Sequence, residues 1–298
     1  MADNKEATTG LRLMAIHAHP DDESSKGAAT MAKYAAEGNR VVVVTCTGGE
    51  RGSILNPAMD KPGILENITA VRKEEMAAAV NALGVEHIWM GYEDSGLPEG
   101  DPLPPLPDNC FALQPAEDVA RNLVKCIRDF KPHVIITYDE NGGYPHPDHL
   151  QVHAASMIAW EKAGDPNYAP ETGEAWTPLK LYYSHGFVKQ RMVLFDTLLK
   201  EQGKHSPYGP MIARWDELDG DIMARVTTQV TCGEYFEQRD QALRAHATQI
   251  DPAGAFLATP PADQARLWPT EEFELARTRV STDLPETDLF AGIPSDAK

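Results

Sequence analysis

The sequence predicts an α/β fold: a Rossmann-like, mostly parallel sheet of strand order 3-2-1-4-5, with helices on both faces and a C-terminal cap. Short apolar segments alternate with segments of helical periodicity through the first two thirds of the 298 residues. Repeated β-α-β units of this kind imply a parallel sheet, and nearly all such crossovers are right-handed. Polar segments rich in histidine and aspartate directly follow the first and fourth predicted strands, as expected at the carboxyl edge of an open α/β sheet.

Apolar runs and helical spacing locate the individual elements. The segment 40–47 contains four consecutive valines and two threonines, which favours a strand. In 67–83 apolar residues recur at helical spacing and Gly84 follows as a C-cap, which predicts a helix. The segment 92–115 is rich in proline and lacks periodicity, so we expect a long loop there. On the same criteria, strands are predicted at 11–18, 87–90, 133–138 and 179–185, and helices at 28–37, 116–130 and 148–162.

The last third of the chain has a different pattern. Helices are predicted at 189–201 and 234–249, with a strand at 226–231 between them. The segment 203–221 looks irregular. We expect this region to cover the sheet as a cap rather than to fold as an independent domain.

These elements predict one domain over residues 11–281. Within it, 11–186 form the α/β core and 187–281 the cap. The two ends of the chain, 1–10 and 282–298, are polar or contain proline and aspartate, and we expect them to be flexible.

Charge and composition restrict the classes of partner. The chain carries 27 Lys and Arg against 45 Asp and Glu, a formal net charge of −18. Such a surface repels phosphate backbones and anionic lipids, so neither nucleic acid nor a membrane is expected as a partner. The first ten residues are polar, no apolar run is long enough to cross a membrane, and the four cysteines form no C-x-x-C pair. These features predict a reduced, cytoplasmic protein.

Two segments rich in histidine and aspartate, 17–23 and 144–149, hold residue types that suit a metal ion. In the predicted strand order the first and fourth strands are neighbours, so both segments face one crevice. Catalytic zinc usually keeps three protein ligands and an open water position, and imidazole and carboxylate are good ligands for it. His19, Asp22 and His149 meet that requirement and are the predicted ligands of one zinc ion. Iron(II) is an alternative, since ligand type alone does not choose between these metals.

The remaining polar residues of the two segments suit acid–base catalysis. Asp21 lies next to the predicted ligand Asp22 and is free to take a proton from a metal-activated water. His146 lies one turn before His149, where it would either protonate a leaving amine or stabilise a developing oxyanion. The hydroxyl of Tyr144 would assist at the same place.

The sequences His-Pro-Asp-Asp-Glu at 19–23 and His-Pro-Asp-His at 146–149 resemble the motifs of the LmbE-like, or PIG-L, family of zinc-dependent N-deacetylases. The likeness to one branch of that family, which cleaves mycothiol S-conjugates, spans about residues 11 to 276. It is carried by the segments 17–26, 47–52, 94–98, 138–149 and 244–251. The resemblance implies the same three metal ligands, with Asp21 as general base and His146 as its acid or electrostatic partner.

The resemblance also implies a reaction and a set of substrate contacts. The enzyme would hydrolyse the amide between glucosamine and the acyl-cysteine of a mycothiol S-conjugate, a pseudo-disaccharide thiol conjugate. The products would be glucosaminyl-inositol and a mercapturic acid, as in thiol detoxification. Arg72 and Asp94 would bind hydroxyls of the glucosaminyl-inositol, with Glu50 nearby. Lys26 would contact the acyl-cysteine part near the mouth of the site.

Three other functions share parts of this pattern. A deacetylase of N-acetylglucosaminyl-inositol would use the same motifs on a related substrate. Two histidines and a carboxylate also form the facial triad of non-haem iron oxygenases, which usually have an all-β scaffold. A non-catalytic protein that binds a sugar or a thiol conjugate would use the same crevice without turnover.

Overall fold

The computed structural model describes residues 10–216 and 221–294. They contain a seven-stranded sheet. Its strands are β1 (Arg12–His17), β2 (Arg40–Thr47), β3 (Glu86–Tyr92), β4 (Val134–Thr137), β5 (Lys180–His185), β6 (Thr228–Thr231) and β7 (Thr270–Thr278). The order across the sheet is β3-β2-β1-β4-β5-β7-β6, and the first five strands are parallel. The predicted order 3-2-1-4-5 is confirmed.

Helices connect the strands and cover both faces of the sheet. The α-helices of the described residues are α1 (Asp22–Ser25), α2 (Ala28–Ala36), α3 (Ile68–Leu83), α4 (Ala116–Phe130), α5 (Pro147–Lys162), α6 (Lys189–Glu201), α7 (Gly209–Asp216), α8 (Phe236–Ala245) and α9 (Pro261–Leu267). Helix α3 ends at Gly84, whose φ of 70° is the left-handed C-cap that the sequence predicts. No helix in 10–216 or 221–294 is both long and apolar enough to cross a membrane.

The apolar core lies on the two faces of the parallel strands. Along β1, Met14 and Ile16 point to the face covered by α4 and α5. Leu13 and Ala15 alternate with them and point to the face covered by α2, α3 and α8. Burial on both faces explains why these strands are almost continuously apolar in sequence.

The site is positioned by the pairing of β1 with β4. The two strands are parallel, with Leu13 opposite Val134 and Ala15 opposite Ile136. Their carboxyl ends therefore meet at one edge of the sheet, where the strand order reverses. The loops that follow them carry the two segments rich in histidine and aspartate.

The C-terminal region adds two strands to the sheet. Strand β6 and strand β7 continue the main sheet, with β7 antiparallel to both β5 and β6. The sequence does not predict β7, because Glu271 and Glu272 interrupt the apolar pattern of this strand. Both carboxylates are buried, and the pair Glu272–Arg191 joins β7 to α6 at 3.0 Å. Of the segment expected to be irregular, residues 209–216 form α7, and 217–220 lie outside the described residues.

The C-terminal segment 282–294 is packed against the sheet, whereas the sequence predicted flexibility from residue 282 onwards. Leu289 and Phe290 are buried in the core face that contains α2. Glu286 is also buried, accepts the Tyr182 hydroxyl at 2.5 Å and pairs with Lys180. The prediction failed because local composition does not reveal which buried groups of the sheet the segment satisfies.

Candidate active site

The three predicted metal ligands converge at the crevice between β1 and β4. His19 follows β1, Asp22 begins α1, and His149 lies in the first turn of α5. Asp22 Oδ2 is 3.5 Å from His19 Nδ1 and 3.4 Å from His149 Nε2. The three ligand atoms lie within 4.8 Å of one another, which is close enough to contact one ion.

The hydrogen bonds of His149 leave one ring nitrogen free for a metal. Nδ1 lies 2.8 Å from the carbonyl oxygen of Gly142, to which it donates its proton. Nε2 then presents a lone pair that is buried and has no hydrogen-bond partner among the described residues. Burying an unpaired polar atom is costly, and metal-binding histidines commonly donate their other nitrogen to a carbonyl or carboxylate. The residues therefore fit a metal ion.

Asp148 orients His19 from the other side of the ring. Its Oδ2 lies 3.1 Å from His19 Nε2, so His19 Nδ1 remains turned towards Asp22. Asp148 is itself fixed, because it accepts the backbone N–H of Ser95 at 3.0 Å and also the Ser95 hydroxyl. Sequence analysis gave Asp148 no role, although it stands inside the second motif between Pro147 and His149.

The carboxylates of the site concentrate positive charge on His19. Burial disfavours a charged His19 ring, but hydrogen bonds to Asp148, Asp22 and Asp94 outweigh burial and hold its pKa well above the ordinary value. A bound cation would satisfy the same carboxylates, so the electrostatics also fit a metal.

A second group of side chains also meets the distance requirement for an ion. It comprises His19, Asp94, His146 and Asp148. In this group His19 Nε2 is already hydrogen-bonded to Asp148. His146 Nδ1 likewise accepts the backbone N–H of Asp148 at 3.1 Å. The group of His19, Asp22 and His149 fits an ion better, because His149 Nε2 has no hydrogen-bond partner among the described residues.

Asp22 is surrounded by donors that keep it ionised. The Tyr138 hydroxyl donates to Oδ2 at 2.7 Å, and Lys26 Nζ lies 2.5 Å from Oδ1. Burial raises the pKa of Asp22, but the neighbouring ammonium of Lys26 lowers it, and the pKa lies well below the ordinary value. The Tyr138 ring also stacks on His149, with centroids 4.2 Å apart. Sequence analysis did not identify Tyr138, since only the fold brings it to Asp22.

Lys26 lies behind Asp22 and not at the mouth of the site where it was expected. It is 6% exposed and is absent from the lining of the cleft. The reason is local: Lys26 follows the short helix α1 directly, and its ammonium reaches the carboxylate four residues earlier. The interpretation of Lys26 as a contact for the acyl-cysteine therefore loses its geometric basis.

Asp21 has an unusual backbone and a raised pKa. Its φ of 105° lies in the left-handed region, which side-chain-bearing residues rarely adopt. Burial and the charge of Asp22 raise the pKa of Asp21 to about 6. The residue lines the cleft beside His19. A carboxyl group with a pKa near neutrality in such a place suits a general base.

His146 is held as a neutral hydrogen-bond donor. Burial, and after it the charge on the neighbouring His19 ring, lower its pKa to about 4. Because Nδ1 accepts the N–H of Asp148, the hydrogen-bond network assigns the proton to Nε2. Of the two roles left open by the sequence, this geometry favours stabilisation of an oxyanion over donation of a proton.

Tyr144 stands at the outer side of the same histidines. Its ring centroid is 4.7 Å from that of His149, it lines the cleft, and it is 44% exposed. Burial of its inner part and the charges of Asp22 and Asp21 hold the pKa of Tyr144 above its ordinary value. The hydroxyl therefore remains a donor at neutral pH.

A cleft of about 480 Å³ opens beside these residues, and Arg72 lies in its wall. Arg72 is 2% exposed, and its Nε and Nη2 have no hydrogen-bond partner among the described residues. Two glycines make room for it: a Cβ at Gly49 would lie 2.1 Å from Nη1, and one at Gly52 would lie 2.7 Å from Nη2. The glycines of the segment 47–52 thus admit the guanidinium, whose unpaired N–H groups are available to a ligand.

Asp94 and Glu50 are linked to each other. Glu50 Oε1 accepts the backbone N–H of Asp94 at 2.9 Å. Asp94 accepts the backbone N–H groups of Arg51 and Gly96 at 2.9 and 2.8 Å, and it lines the cleft. Glu50 is not among the lining residues. The structure therefore places Asp94 where a ligand can reach it and Glu50 behind it.

The sequence of the chain is similar to those of known proteins. Residues 14–160 match the family model described as PIG-L, GlcNAc-PI de-N-acetylase. Over 293 residues the chain is 55% identical to the mycothiol S-conjugate amidase of Streptomyces coelicolor, which covers 97% of this chain and 100% of the relative. The chain belongs to the PIG-L family. This PIG-L protein is also 39% identical over 300 residues to the 1D-myo-inositol 2-acetamido-2-deoxy-α-D-glucopyranoside deacetylase of Streptomyces scabiei, covering 96% of this chain and 90% of the relative.

Solved structures share the fold of this PIG-L protein at low sequence identity. The N,N'-diacetylchitobiose deacetylase of Pyrococcus horikoshii is 16% identical, with a TM-score of 0.56, and the match covers 89% of this chain and 83% of that one. The 4-carboxy-2-hydroxymuconate hydratase of Pseudomonas putida KT2440 is also 16% identical, with a TM-score of 0.60 over 92% and 99% of the two chains. The shared fold supports two different reactions, so the reaction must be argued from the site.

Proposed function

We propose that this PIG-L protein is a metal-dependent amidase that hydrolyses the bond between glucosamine and the acyl-cysteine of mycothiol S-conjugates. The products are glucosaminyl-inositol and a mercapturic acid. One observation carries this proposal: identity to a mycothiol S-conjugate amidase is 55% over 97% of the chain, against 39% to a deacetylase of the acetylated sugar-inositol. The four free cysteine thiols support a reducing, cytoplasmic setting for the reaction.

The metal we propose is one zinc ion per chain, held by His19, Asp22 and His149. Two imidazoles and one carboxylate form a ligand set typical of hydrolytic zinc, and iron(II) accepts the same set. The unpaired lone pair of His149 Nε2 supports this assignment. When bound, the ion polarises the amide carbonyl and lowers the pKa of the attacking water.

Asp21 acts as the base in this proposal. Its pKa of about 6 leaves the carboxylate ionised at neutral pH yet basic enough to remove a proton from the attacking water. The water oxygen then adds to the amide carbon, and the carbonyl oxygen becomes an oxyanion. Collapse of this adduct breaks the C–N bond. Asp21 returns its proton to the departing amine, so the carboxylate is regenerated and one water is consumed per amide.

His146 and Tyr144 stabilise the oxyanion. Both side chains line the cleft next to His19 and Asp21. The Nε2–H of neutral His146 and the protonated Tyr144 hydroxyl are donors that carry no charge of their own. Such donors gain strength as negative charge develops on the carbonyl oxygen, which lowers the barrier to addition.

Arg72 and Asp94 bind hydroxyls of the glucosaminyl-inositol part. Arg72 supplies N–H donors without protein partners, and Asp94 supplies acceptor oxygens in the same cleft. A guanidinium and a carboxylate side by side match the alternating donor and acceptor character of sugar hydroxyls. Glu50 supports Asp94 from behind, and Lys26 acts on Asp22 rather than on the substrate.

A comparison of two substrates tests the proposal. Zinc-loaded protein is incubated with a mycothiol S-conjugate and, separately, with N-acetylglucosaminyl-inositol, and release of primary amine is followed for both. We expect the larger kcat/KM for the conjugate. Faster release from the acetylated sugar would make the protein a deacetylase of the kind found in Streptomyces scabiei. Binding of the conjugate without release of amine would make it a non-catalytic binding protein.

A further inference from the structure

We infer that His246 and Glu23 are positioning residues for Asp21, and that the segment 246–249 braces two parts of the active site at once. The inference rests on the proposed function, since Asp21 is the proposed base. His246 lies at the end of α8, more than two hundred residues from the first motif, and sequence analysis gave it no role.

The first contact of this brace reaches the backbone of Asp21. His246 Nε2 lies 2.7 Å from Glu23 Oε1, and both side chains are fully buried. The other oxygen of Glu23, Oε2, accepts the backbone N–H of Asp21 at 2.9 Å. His246 therefore holds the Glu23 carboxylate in place, and Glu23 in turn holds the backbone amide of Asp21.

The backbone of Asp21 needs such support. A non-glycine residue at φ 105° persists only where its surroundings determine its conformation. On the carbonyl side, Asp21 accepts the N–H groups of Ser24 and Ser25 at 3.0 and 3.1 Å, as the start of α1. On the amide side, Glu23 is the acceptor. The strained conformation sets where the Asp21 carboxylate points, so losing either hold would misplace the base.

The second contact of the brace reaches the helix that carries Arg72. Thr248 donates its backbone N–H and its hydroxyl to the two oxygens of Glu75, at 2.8 and 2.7 Å. Glu75 lies on α3, one turn after Arg72, and is buried. The next residue, Gln249, lines the cleft. One short segment thus holds the base on one side and the substrate-binding arginine on the other.

A structural role alone explains this pair poorly. A buried ion pair usually contributes little net stability, because desolvation of both groups offsets their attraction. Glu23 is the last residue of the first motif, and its second carboxylate oxygen accepts the backbone N–H of Asp21, the residue held at a strained φ. The geometry therefore assigns the pair to the accuracy of the site.

The test uses the full-length, zinc-loaded protein with His246→Leu, His246→Gln and Thr248→Val. His246→Leu removes the bond to Glu23, and we expect kcat to fall about 100-fold with zinc content unchanged, the scale of a 1 Å misplacement at a reacting centre. His246→Gln keeps a donor near the position of Nε2 and should restore most of that loss. Thr248→Val weakens the contact to α3, so its effect should appear in KM rather than in kcat.

An activity-independent measurement separates failure of this inference from failure of the proposed function. Hydrogen exchange of a peptide covering 18–26 should be at least about tenfold faster in His246→Leu than in wild type, since the Asp21 amide loses its oriented acceptor. If the wild-type protein cleaves neither substrate while this exchange still rises, the proposed function fails and the positioning contact stands. Wild-type exchange in His246→Leu, or equal losses of kcat in His246→Leu, His246→Gln and Thr248→Val, would overturn the inference.

Discussion

Gly49→Ala should separate the substrate-binding role of Arg72 from the catalytic centre. An alanine Cβ at this position would lie 2.1 Å from Arg72 Nη1, well inside van der Waals contact. The guanidinium must therefore move by about 1 Å, because the backbone at φ 63° cannot turn the Cβ elsewhere without leaving its turn. The guanidinium cannot move towards Gly52, because it already lies so close to that backbone that a Cβ there would be 2.7 Å from Nη2.

The size of the effect follows from the bonds that Arg72 would lose. Hydrogen bonds to a charged group contribute about 1.5–3 kcal/mol each, and Arg72 has two unpaired donor nitrogens. Loss of both at the lower figure corresponds to a rise in KM of about 100-fold. A Cβ at Gly49 would also lie 3.3 Å from Pro20 Cδ, between His19 and Asp21, but this contact is much milder than the one with Arg72. We therefore expect kcat to fall less than KM rises.

Steady-state kinetics on a mycothiol S-conjugate gives the measurement, and Gly203→Ala is the matched control. Gly203 has φ 68°, close to that of Gly49, but a Cβ there would meet nothing within 4 Å. Both variants should lose about 1–2 kcal/mol of free energy of unfolding from left-handed strain, and only Gly49→Ala should change KM. A Gly49→Ala protein with wild-type KM, or an equal rise in KM in Gly203→Ala, would refute the role given to Arg72.

Three further predictions concern the metal and the base. Asp21→Asn should keep its zinc, measured by elemental analysis, while kcat falls by about 100- to 10,000-fold because proton transfer is lost; a metal-loaded variant with near-normal turnover would remove Asp21 as the base. His149→Ala should lose zinc together with activity, and retention of one tightly bound zinc per chain would show that other residues hold it. The pKa of about 6 for Asp21 predicts that kcat/KM rises with pH on the acidic side, since only the carboxylate accepts a proton. A bound cation favours the ionised carboxylate of Asp21 and so moves the acidic limb of the kcat/KM profile to lower pH. An acidic inflection above pH 7 would therefore contradict the assignment of Asp21 as the base.

The sequence was sufficient for the core of the fold and for the convergence of His19, Asp22 and His149. Valine-rich strands and helices that end at a glycine C-cap, such as Gly84, are local features of the sequence. Repeated β-α-β units restrict the strand order. That order alone makes β1 and β4 neighbours, so the sequence predicts that His19, Asp22 and His149 meet at one edge of the sheet.

The residues that orient these ligands could not be found in the same way. Tyr138 is hydrogen-bonded to Asp22 at 2.7 Å, and Asp148 to His19 at 3.1 Å. Both contacts depend on how the loops turn after each strand. The sequence locates Lys26 near the site, but the direction of its side chain depends on the length of α1, which turns the ammonium towards Asp22. The pair of Glu23 with His246 joins residues 223 positions apart in the sequence, and no local pattern reveals such a contact.

The errors in the C-terminal region have one physical cause. Strand β7 carries Glu271 and Glu272, and the segment 282–294 carries Glu286, so both look exposed when hydropathy is considered alone. Each carboxylate is buried with a partner: Glu271 accepts the N–H groups at the start of α2, Glu272 pairs with Arg191, and Glu286 pairs with Lys180. A prediction based on the apolar pattern assigns charged residues to the surface, so it fails where the charges are buried with a partner.

The proposed mechanism requires one metal ion that His19, Asp22 and His149 share. An anomalous difference map at the zinc edge, from crystals of the zinc-loaded protein, tests it most directly. We expect a single peak about 2.0–2.2 Å from His19 Nδ1, an oxygen of Asp22 and His149 Nε2. A peak lying instead among Asp94, His146 and Asp148 would contradict it, and so would a site empty of zinc in fully active crystals.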